Sequence, residues 1–293
     1  MDLEQRSIER IKLAALMSEQ YYDAPLVCTY SGGKDSDVML ELFKRSGVNF
    51  EVISSHTTVD APQTVYHIRE KFKELEDQGI KAIVHYPTYK GKRTSMWDLI
   101  VKKGPPTRIH RWCCAVFKEK SAPGRMITTG VRWEESTRRA DRGEYESVEK
   151  TVKERKSATY EDIILTNDND AKRKIIDRCE VKGAVVANPI IDWKNKDIWE
   201  FIRSEKIKYN PLYDMGYSRV GCIGCPMAGY AGRCKEFSDF PKYRDNYIKA
   251  FDRFLKRKEA EGCVSKYKTA QEMFDWWMED PKMQGQISLF EEE

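Results

Sequence analysis

Between residues 25 and 47 three segments follow one another without a gap. An apolar run (PLVCTY, 25–30) leads into the turn Ser31-Gly32-Gly33-Lys34-Asp35-Ser36. An amphipathic stretch over 37–45 follows, with Val38, Met39, Leu42 and Phe43 on one face, and Gly47 closes it. A short apolar run before a glycine turn reads as a buried strand, and apolar spacings of three and four read as a helix. The same alternation continues: a strand over 50–54, a helix over 64–75 (Val65, Ile68, Phe72, Leu75), a strand over 82–85, a helix over 95–102 and a fourth strand over 126–129. Strands alternating with helices through short connections require a parallel sheet with right-handed crossovers. The predicted class is therefore α/β, a doubly wound, mostly parallel sheet, Rossmann-like in outline.

An amphipathic helix is expected over residues 2–20. Residues 134–176 are polar and charged, and the sequence predicts a flexible excursion there with a hairpin around 163–166. A segment over 185–189 leads through 189–193 into a helix over 195–204. Beyond Asn210 the chain turns Gly- and Cys-rich and then helical, over 240–261 and 269–278. The expected organisation is an α/β domain over 1–205, a cysteine-containing helical C-terminal region over 206–280, and a flexible tail over 281–293.

Mean hydropathy is −0.68, and no apolar run approaches the length of a membrane span. The first twenty residues are charged throughout, without the apolar core of a signal peptide, so a cytoplasmic chain is expected. Eight cysteines then suggest metal ligands, redox groups or buried hydrophobes rather than a disulfide framework. Net charge is only +4, but between Lys102 and Arg142 there are 11 Lys and Arg against 4 Asp and Glu. Such a local excess is either a solvated basic surface or a site for a polyanion, a nucleotide or a nucleic acid.

The turn Ser31–Ser36 has the chemistry of an anion cradle. Two glycines let the backbone approach a phosphate, and a helix N-terminus supplies free N–H groups with partial positive charge. Ser31 and Ser36 add hydroxyls and Lys34 a point charge, while Asp35 can cap the helix or hold Mg²⁺ through water. It matches neither GxxxxGK[ST] nor GxGxxG.

SGGKDS in this setting resembles the PP-loop superfamily of adenine nucleotide α-hydrolases, and most of all its phosphoadenosine phosphosulfate (PAPS) reductase branch. HTTVDAPQTVYHIRE (56–70), GVRWEESTRRA (130–140) and PIIDWKNKDIWEFI…YNPLYDMGYSRVGCIGCP are similar to further segments of that family, and the matches together span roughly residues 25–240. The resemblance implies ATP bound by Ser31, Gly32, Gly33, Lys34, Asp35, Ser36, Asp60, Gly130 and Arg132. It implies attack at the α-phosphorus, with Lys34, Asp35, Arg132 and Arg138 as catalytic residues and Glu135, Ser136 and Arg139 near phosphates or substrate. Mg²⁺ and Lys34 would neutralise the departing pyrophosphate.

Cys113 and Cys114 form a pair in RWCC. Cys222 and Cys225 form a CxxC turn after 107 intervening residues, and Cys234 follows. Four soft thiolates suit an iron–sulfur cluster or structural zinc. The paired cysteines with a remote CxxC resemble the [4Fe–4S] pattern of adenylylsulfate (APS) reductases. RWC with a remote cysteine cluster also resembles the ATP-pyrophosphatase subunit of DNA phosphorothioation systems. Cys113, Cys222 and Cys225 are the candidate ligands, with Cys114 or Cys234 as the fourth. Cys28 reads as core, Cys179 and Cys263 as isolated structural thiols, and Cys263 specifically as buried in a helical tail.

Sulfonucleotide reductases end in a Glu-Cys-Gly-[Leu/Ile]-His segment and have a degenerate phosphate loop. Here EGCVSKY around Cys263 is not that segment, and SGGKDS is intact. The sequence therefore points to ATP cleavage to AMP and pyrophosphate, with adenylylation of an acceptor, DNA or another nucleic acid, for iron–sulfur-assisted sulfur transfer from a donor protein. An APS or PAPS reductase and a non-catalytic nucleotide- or DNA-binding protein are the alternatives. Gln286-Ile287-Ser288-Leu289-Phe290 resembles the peptide by which bacterial repair proteins dock on the sliding clamp. No membrane partner is expected.

Overall fold

The computed structural model describes residues 2–118, 121–148, 156–158 and 184–279. In chain order the elements are α1 (Leu3–Tyr22), β1 (Leu26–Thr29), α2 (Lys34–Ser46), β2 (Phe50–Ser55), α3 (Pro62–Asp77), β3 (Ala82–His85), β4 (Thr88–Tyr89), β5 (Lys92–Arg93), α4 (Met96–Lys103) and α5 (Trp112–Phe117). There follow β6 (Ile127–Thr128), α6 (Thr137–Ala140), β7 (Tyr145–Val148), β8 (Lys156–Ala158), β9 (Ala184–Ala187), α7 (Asn195–Ser204), α8 (Gly229–Asp239), α9 (Pro241–Ala260) and α10 (Ala270–Met278).

Two compact units share the chain. One takes Met1–Ser55, Gln63–His85 and Ser121–Val220, and the other His56–Pro62, Tyr86–Lys120 and Gly221–Glu293. The backbone thus contributes several segments to each unit, where the sequence suggested contiguous stretches cut after residues 205 and 280.

The first unit contains one seven-stranded sheet in the order β3-β2-β1-β6-β9-β7-β8. The pairs β3·β2, β2·β1, β1·β6 and β6·β9 are parallel, with Leu26 opposite Phe50 and Val27 opposite Ile127. The predicted doubly wound, mostly parallel sheet is present. Leu26, Val27 and Cys28 are fully buried, as a central strand of such a sheet requires. Val38, Met39, Leu42 and Phe43 of α2 are buried too, on the face their spacing gave. Because β2 and β6 flank β1, the turn after β1 opens at the point where strand order reverses, the position at which open α/β sheets take ligands.

The polar excursion expected over 134–176 is corrected over its described part. A short 3₁₀ turn (Trp133–Glu135), α6 and strand β7 occupy it, and β7 joins the sheet antiparallel to β9. The sequence shows no strand there because the buried Glu146 breaks the apolar pattern. Arg142 donates through Nε to the Glu146 carboxylate at 2.7 Å, which satisfies that charge inside the sheet. The hairpin expected around residues 163–166 lies outside the described residues.

The second unit is largely helical. The β4·β5 hairpin is antiparallel, and α8, α9 and α10 enclose an aromatic core of Phe237, Tyr247, Phe251, Phe274 and Trp277. Buried Arg233 donates to the carbonyls of Trp277 (2.6 Å) and Met278 (2.9 Å), closing the end of α10. Among the described residues no helix is long and apolar enough to cross a membrane.

Candidate functional site

In the first unit, SGGKDS forms the passage from β1 into α2. Gly32 sits at φ +70°, and a Cβ there would meet Ile68 at 3.0 Å, so glycine is required both for conformation and for space. The helix begins at Lys34, three residues earlier than its apolar face suggested, with Gly33 at the N-cap. Ser36 closes the cap: its hydroxyl donates to the Gly33 carbonyl at 2.7 Å and accepts from the Gly33 N–H at 3.1 Å. Ser31 Oγ lies 3.4 Å from Ser36 Oγ.

Of the two roles open to Asp35, helix cap or Mg²⁺ holder through water, the first is not what the structure gives, since Gly33 is the N-cap. The Asp35 carboxylate faces two cations, Arg132 Nε at 2.7 Å and Lys34 Nζ at 3.3 Å. Arg132, 3% exposed, also donates through Nη1 to Glu134 and to the Trp193 carbonyl, both at 3.3 Å. Gly130 packs on the Asp35 backbone, where an added Cβ would stand 3.4–3.5 Å from its atoms. Lys34, Asp35, Gly130 and Arg132 are therefore brought together around the first turn of α2. Glu135 accepts from the Arg132 backbone N–H at 3.0 Å and pairs with Arg139. Arg138 stands on α6, and its side chain lies outside the described atoms.

Two residues of this site carried no separate signal. The Tyr213 hydroxyl accepts the Lys34 backbone N–H at 2.9 Å, taking one of the free amides of the helix N-terminus, and the Lys34 ammonium lies 5.6 Å from the Tyr213 ring centroid. Asn210 donates to the Gly32 carbonyl at 2.9 Å and to Thr64 at 3.0 Å, fixing the glycine turn from behind. The available hint was YNPLYD itself, whose Asn-Pro begins a turn (Pro211–Tyr213). Beneath the loop, Tyr30 donates to Asp37 at 2.5 Å and His67 Nε2 lies 3.0 Å from both. Burial raises the Asp37 carboxyl above the ordinary value, with the His67 and Tyr30 hydrogen bonds opposing.

The second unit holds the cysteines. Helix α5 presents Cys113 and Cys114, and the Cys222–Cys225 turn follows a backbone bridge between Asp60 and Cys222. Asp60 is thus seated in the cysteine unit. It accepts from the Thr57 amide (2.9 Å) and hydroxyl (2.7 Å), with His56 Nδ1 at 3.3 Å. Burial alone would raise its carboxyl, yet His56 and Thr57 hold it below the ordinary value. Cys113 donates to Cys114, so its own thiol is pushed up and Cys114 is pulled down, the latter also by Arg111, whose Nη2 lies 3.3 Å from its sulfur. Cys113 also feels Cys222 and Cys225. The Lys118 ammonium is raised chiefly by Cys222, then by Cys114 and Asp60.

Cys113, Cys114, Cys222 and Cys225 therefore form one electrostatic neighbourhood with Arg111 and Lys118 as its cations. Cys234 is exposed on α8 beside Tyr230. Four soft donors in a cationic setting fit a tetrathiolate group in kind and number. Among the described residues no three His, Cys, Asp or Glu side chains are already arranged around one metal ion. Cys28 is buried in β1, as expected, but Cys263 is exposed rather than buried, because α9 ends before it. An open cleft of about 810 Å³ in this unit, lined by Trp97, Lys249, Asp252 and Arg253 among others, contains none of the predicted site residues.

The chain is similar to several known proteins. An uncharacterized protein of Methanocaldococcus jannaschii is 28% identical over 260 residues, covering 86% of this chain and 53% of that protein. A second from the same organism is 25% identical, with 83% and 45% covered. The chain thus spans about half the length of these two relatives. An adenosine 5′-phosphosulfate reductase of Lysinibacillus sphaericus is 25% identical over 217 residues, 73% of this chain and 78% of that protein. A solved phosphoadenylyl-sulfate reductase from Candida auris superposes with a TM-score of 0.46 at 18% identity, over 73% of this chain and 87% of that one. Residues 25–228, from β1 through the CxxC turn, match the phosphoadenosine phosphosulfate reductase domain, and the chain belongs to that family.

Proposed function

We propose that this chain cleaves ATP between its α- and β-phosphates, passes the adenylyl group to an acceptor on DNA, and so prepares that position for sulfur, as in the ATP-pyrophosphatase subunit of phosphorothioation systems. The observation that carries this reading is the glycine turn at the N-terminus of α2, with a buried lysine in its first residue, a buried arginine on the neighbouring Asp35, and the Lys34 amide held by a displaceable tyrosine hydroxyl.

In this reading an acceptor oxygen attacks the α-phosphorus, the bond to the bridging oxygen breaks, and pyrophosphate leaves with the electron pair. Lys34 and the amides of the first turn neutralise the charge that builds on the leaving group. Arg132 is the second cation. Asp35 orients both, and since it already faces two cations it meets Mg²⁺ only through water. The Tyr213 hydroxyl yields the Lys34 amide to a phosphate oxygen. Cys113, Cys114, Cys222 and Cys225 would hold an iron–sulfur cluster, which when bound supplies soft iron sites for carrying sulfur or electrons. Arg111 and Lys118 balance the charge of these thiolates. A sulfur-donor protein, and clamp docking by residues 286–290, which lie outside the described residues, complete the proposal.

The test is incubation of anaerobically purified protein with α-labelled ATP, Mg²⁺ and DNA. Pyrophosphate and labelled DNA support the reading, with AMP following as water or a sulfur donor displaces it from the acceptor. Sulfite released from APS or PAPS with a thiol reductant supports a sulfonucleotide reductase, the activity named for the Lysinibacillus relative. Nucleotide binding without turnover points to a non-catalytic protein.

A further inference from the structure

The second unit carries a basic surface that the nucleotide and cysteine chemistry leaves unused. Between Tyr86 and His110 there are six Lys and Arg against one acidic residue, Asp98. The hairpin β4–β5 is its most exposed part. Lys92 lies opposite Tyr89 across the ladder and Arg93 opposite Thr88. At its tip Lys90 (φ 51°) and Gly91 (φ 75°) are both left-handed, the conformation of a two-residue primed turn. Asn or Gly is the ordinary first residue of such a turn, so this lysine stands where backbone preference argues against it.

The cations here are stacked on rings. The Arg93 guanidinium lies 4.0 Å from the centroid of Tyr86, itself 42% exposed. Lys90, Lys102 and Lys103 lie 5.9, 5.9 and 5.1 Å from the centroid of Tyr89. Lys102 and Lys103 also complement the C-terminal dipole of α4, but no helix end accounts for Lys90, Lys92 or Arg93. None of the five pairs with a carboxylate among the described residues. From residue 86 to 94 there is no Leu, Ile, Met, Phe or Trp to enter a lipid surface.

We infer that the β4–β5 hairpin is a docking surface for single-stranded DNA. Lys90, Lys92 and Lys103 meet the phosphates, and the Tyr86–Arg93 stack is the platform for an unpaired base. Charge complementarity selects a polyanion, and flat aromatic–guanidinium surfaces select exposed bases over a closed duplex. The choice of DNA rests on the acceptor proposed above.

The test is fluorescence anisotropy of the whole chain with labelled (dT)20 between 50 and 250 mM NaCl. Lys90→Asn removes the charge and suits the turn, so melting should hold or rise while the salt slope falls by about 0.7. K90N/K92Q/R93Q should weaken binding more than ten-fold and lower the slope by about 1.4, the share of the two phosphate-facing lysines. Tyr86→Ala should weaken (dT)20 about ten-fold and leave heparin binding unchanged. Parent-like affinity in the folded triple variant overturns the inference. So does tighter binding of a 20-base-pair duplex or of (rU)20, or capture by phosphatidylserine vesicles in place of (dT)20. Pyrophosphate release without DNA separates the two claims. If the parent cleaves ATP and the hairpin variants bind DNA as the parent does, the surface falls alone. If the parent cleaves no ATP but the variants lose DNA, the acceptor reading falls alone.

Discussion

Arg132 is the residue whose burial makes the loop's charges interdependent. Removing Arg132 takes one of two cations from the half-buried Asp35 and a donor from the Trp193 carbonyl and from Glu134, at a cost of roughly 1–3 kcal/mol. Arg132→Met should therefore lower the urea-derived stability by about that amount and abolish ATP cleavage, and an unchanged midpoint would show that Asp35 does not depend on it. Lys34→Ala should cut pyrophosphate release by about a hundred-fold or more with a far smaller change in the midpoint. Glu51 offers a pH test of the sheet itself. Burial would raise its carboxyl, but Lys81 at 2.8 Å and Arg125 at 3.1 Å hold it below the usual glutamate value. A lowered folded pKa stabilises above the unfolded value, about 4.3, and that contribution disappears as pH falls through the folded one. Glu51→Gln should be less stable than the parent at pH 7 and converge with it below about pH 4, whereas a constant difference from pH 7 to 3 would contradict the ion pairs. Lys34, Ser36 and Arg132 were legible in the sequence because each lies in a short motif. Tyr213 and Asn210 were not, since they reach the loop from about 180 residues away along the chain, and only folding reveals that they meet it.

At the level of elements, the parallel core was legible wherever strands are buried on both faces and helices keep one apolar stripe. β1 and β2 meet the first condition and α2 the second, while β3, half-buried at the sheet edge, was legible from its short apolar run. β7 was hidden by its buried, arginine-paired Glu146. Helix α5 was hidden because six residues cannot display a period, and the cysteines in it drew attention as ligands rather than as helix. The CxxC turn depends on Gly224, which sits at φ +73° with room for no side chain. A Cβ there would stand 2.7 Å from Phe237 and 2.9 Å from Tyr247. Gly224→Ala should cost about 2–4 kcal/mol by overpacking and strain together and should expose the Cys225 thiol to alkylation in native buffer. Parent-like melting and thiol labelling would show that the turn tolerates a side chain.

On the scale of the whole molecule, the two proposed chemistries fall in different compact units: the glycine turn at the switch point of a parallel sheet in one, and Cys113, Cys114, Cys222 and Cys225 in the other. The linear reading split them near residue 205, yet the cysteine unit takes residues 56–62 and 86–120 from within the α/β half. Sequence order cannot show that interleaving, because domain boundaries read from composition are always cuts at a point. If the units divide the labour, replacing Cys113 and Cys222 by Ser should remove bound iron and its visible absorption while ATP binding persists. Loss of both together would show one inseparable site. Deletion of residues 284–293 should abolish sliding-clamp pull-down and leave ATP turnover intact, and an unchanged pull-down would remove the clamp from the account. The most direct measurement follows the phosphorus itself, by ³¹P NMR of ATP turned over by the anaerobically purified chain with Mg²⁺ and DNA. AMP and pyrophosphate should appear, and should vanish with Lys34→Ala. ADP with inorganic phosphate, or AMP formed equally well without Lys34, would contradict the cradle as the place where the innermost phosphate is cleaved.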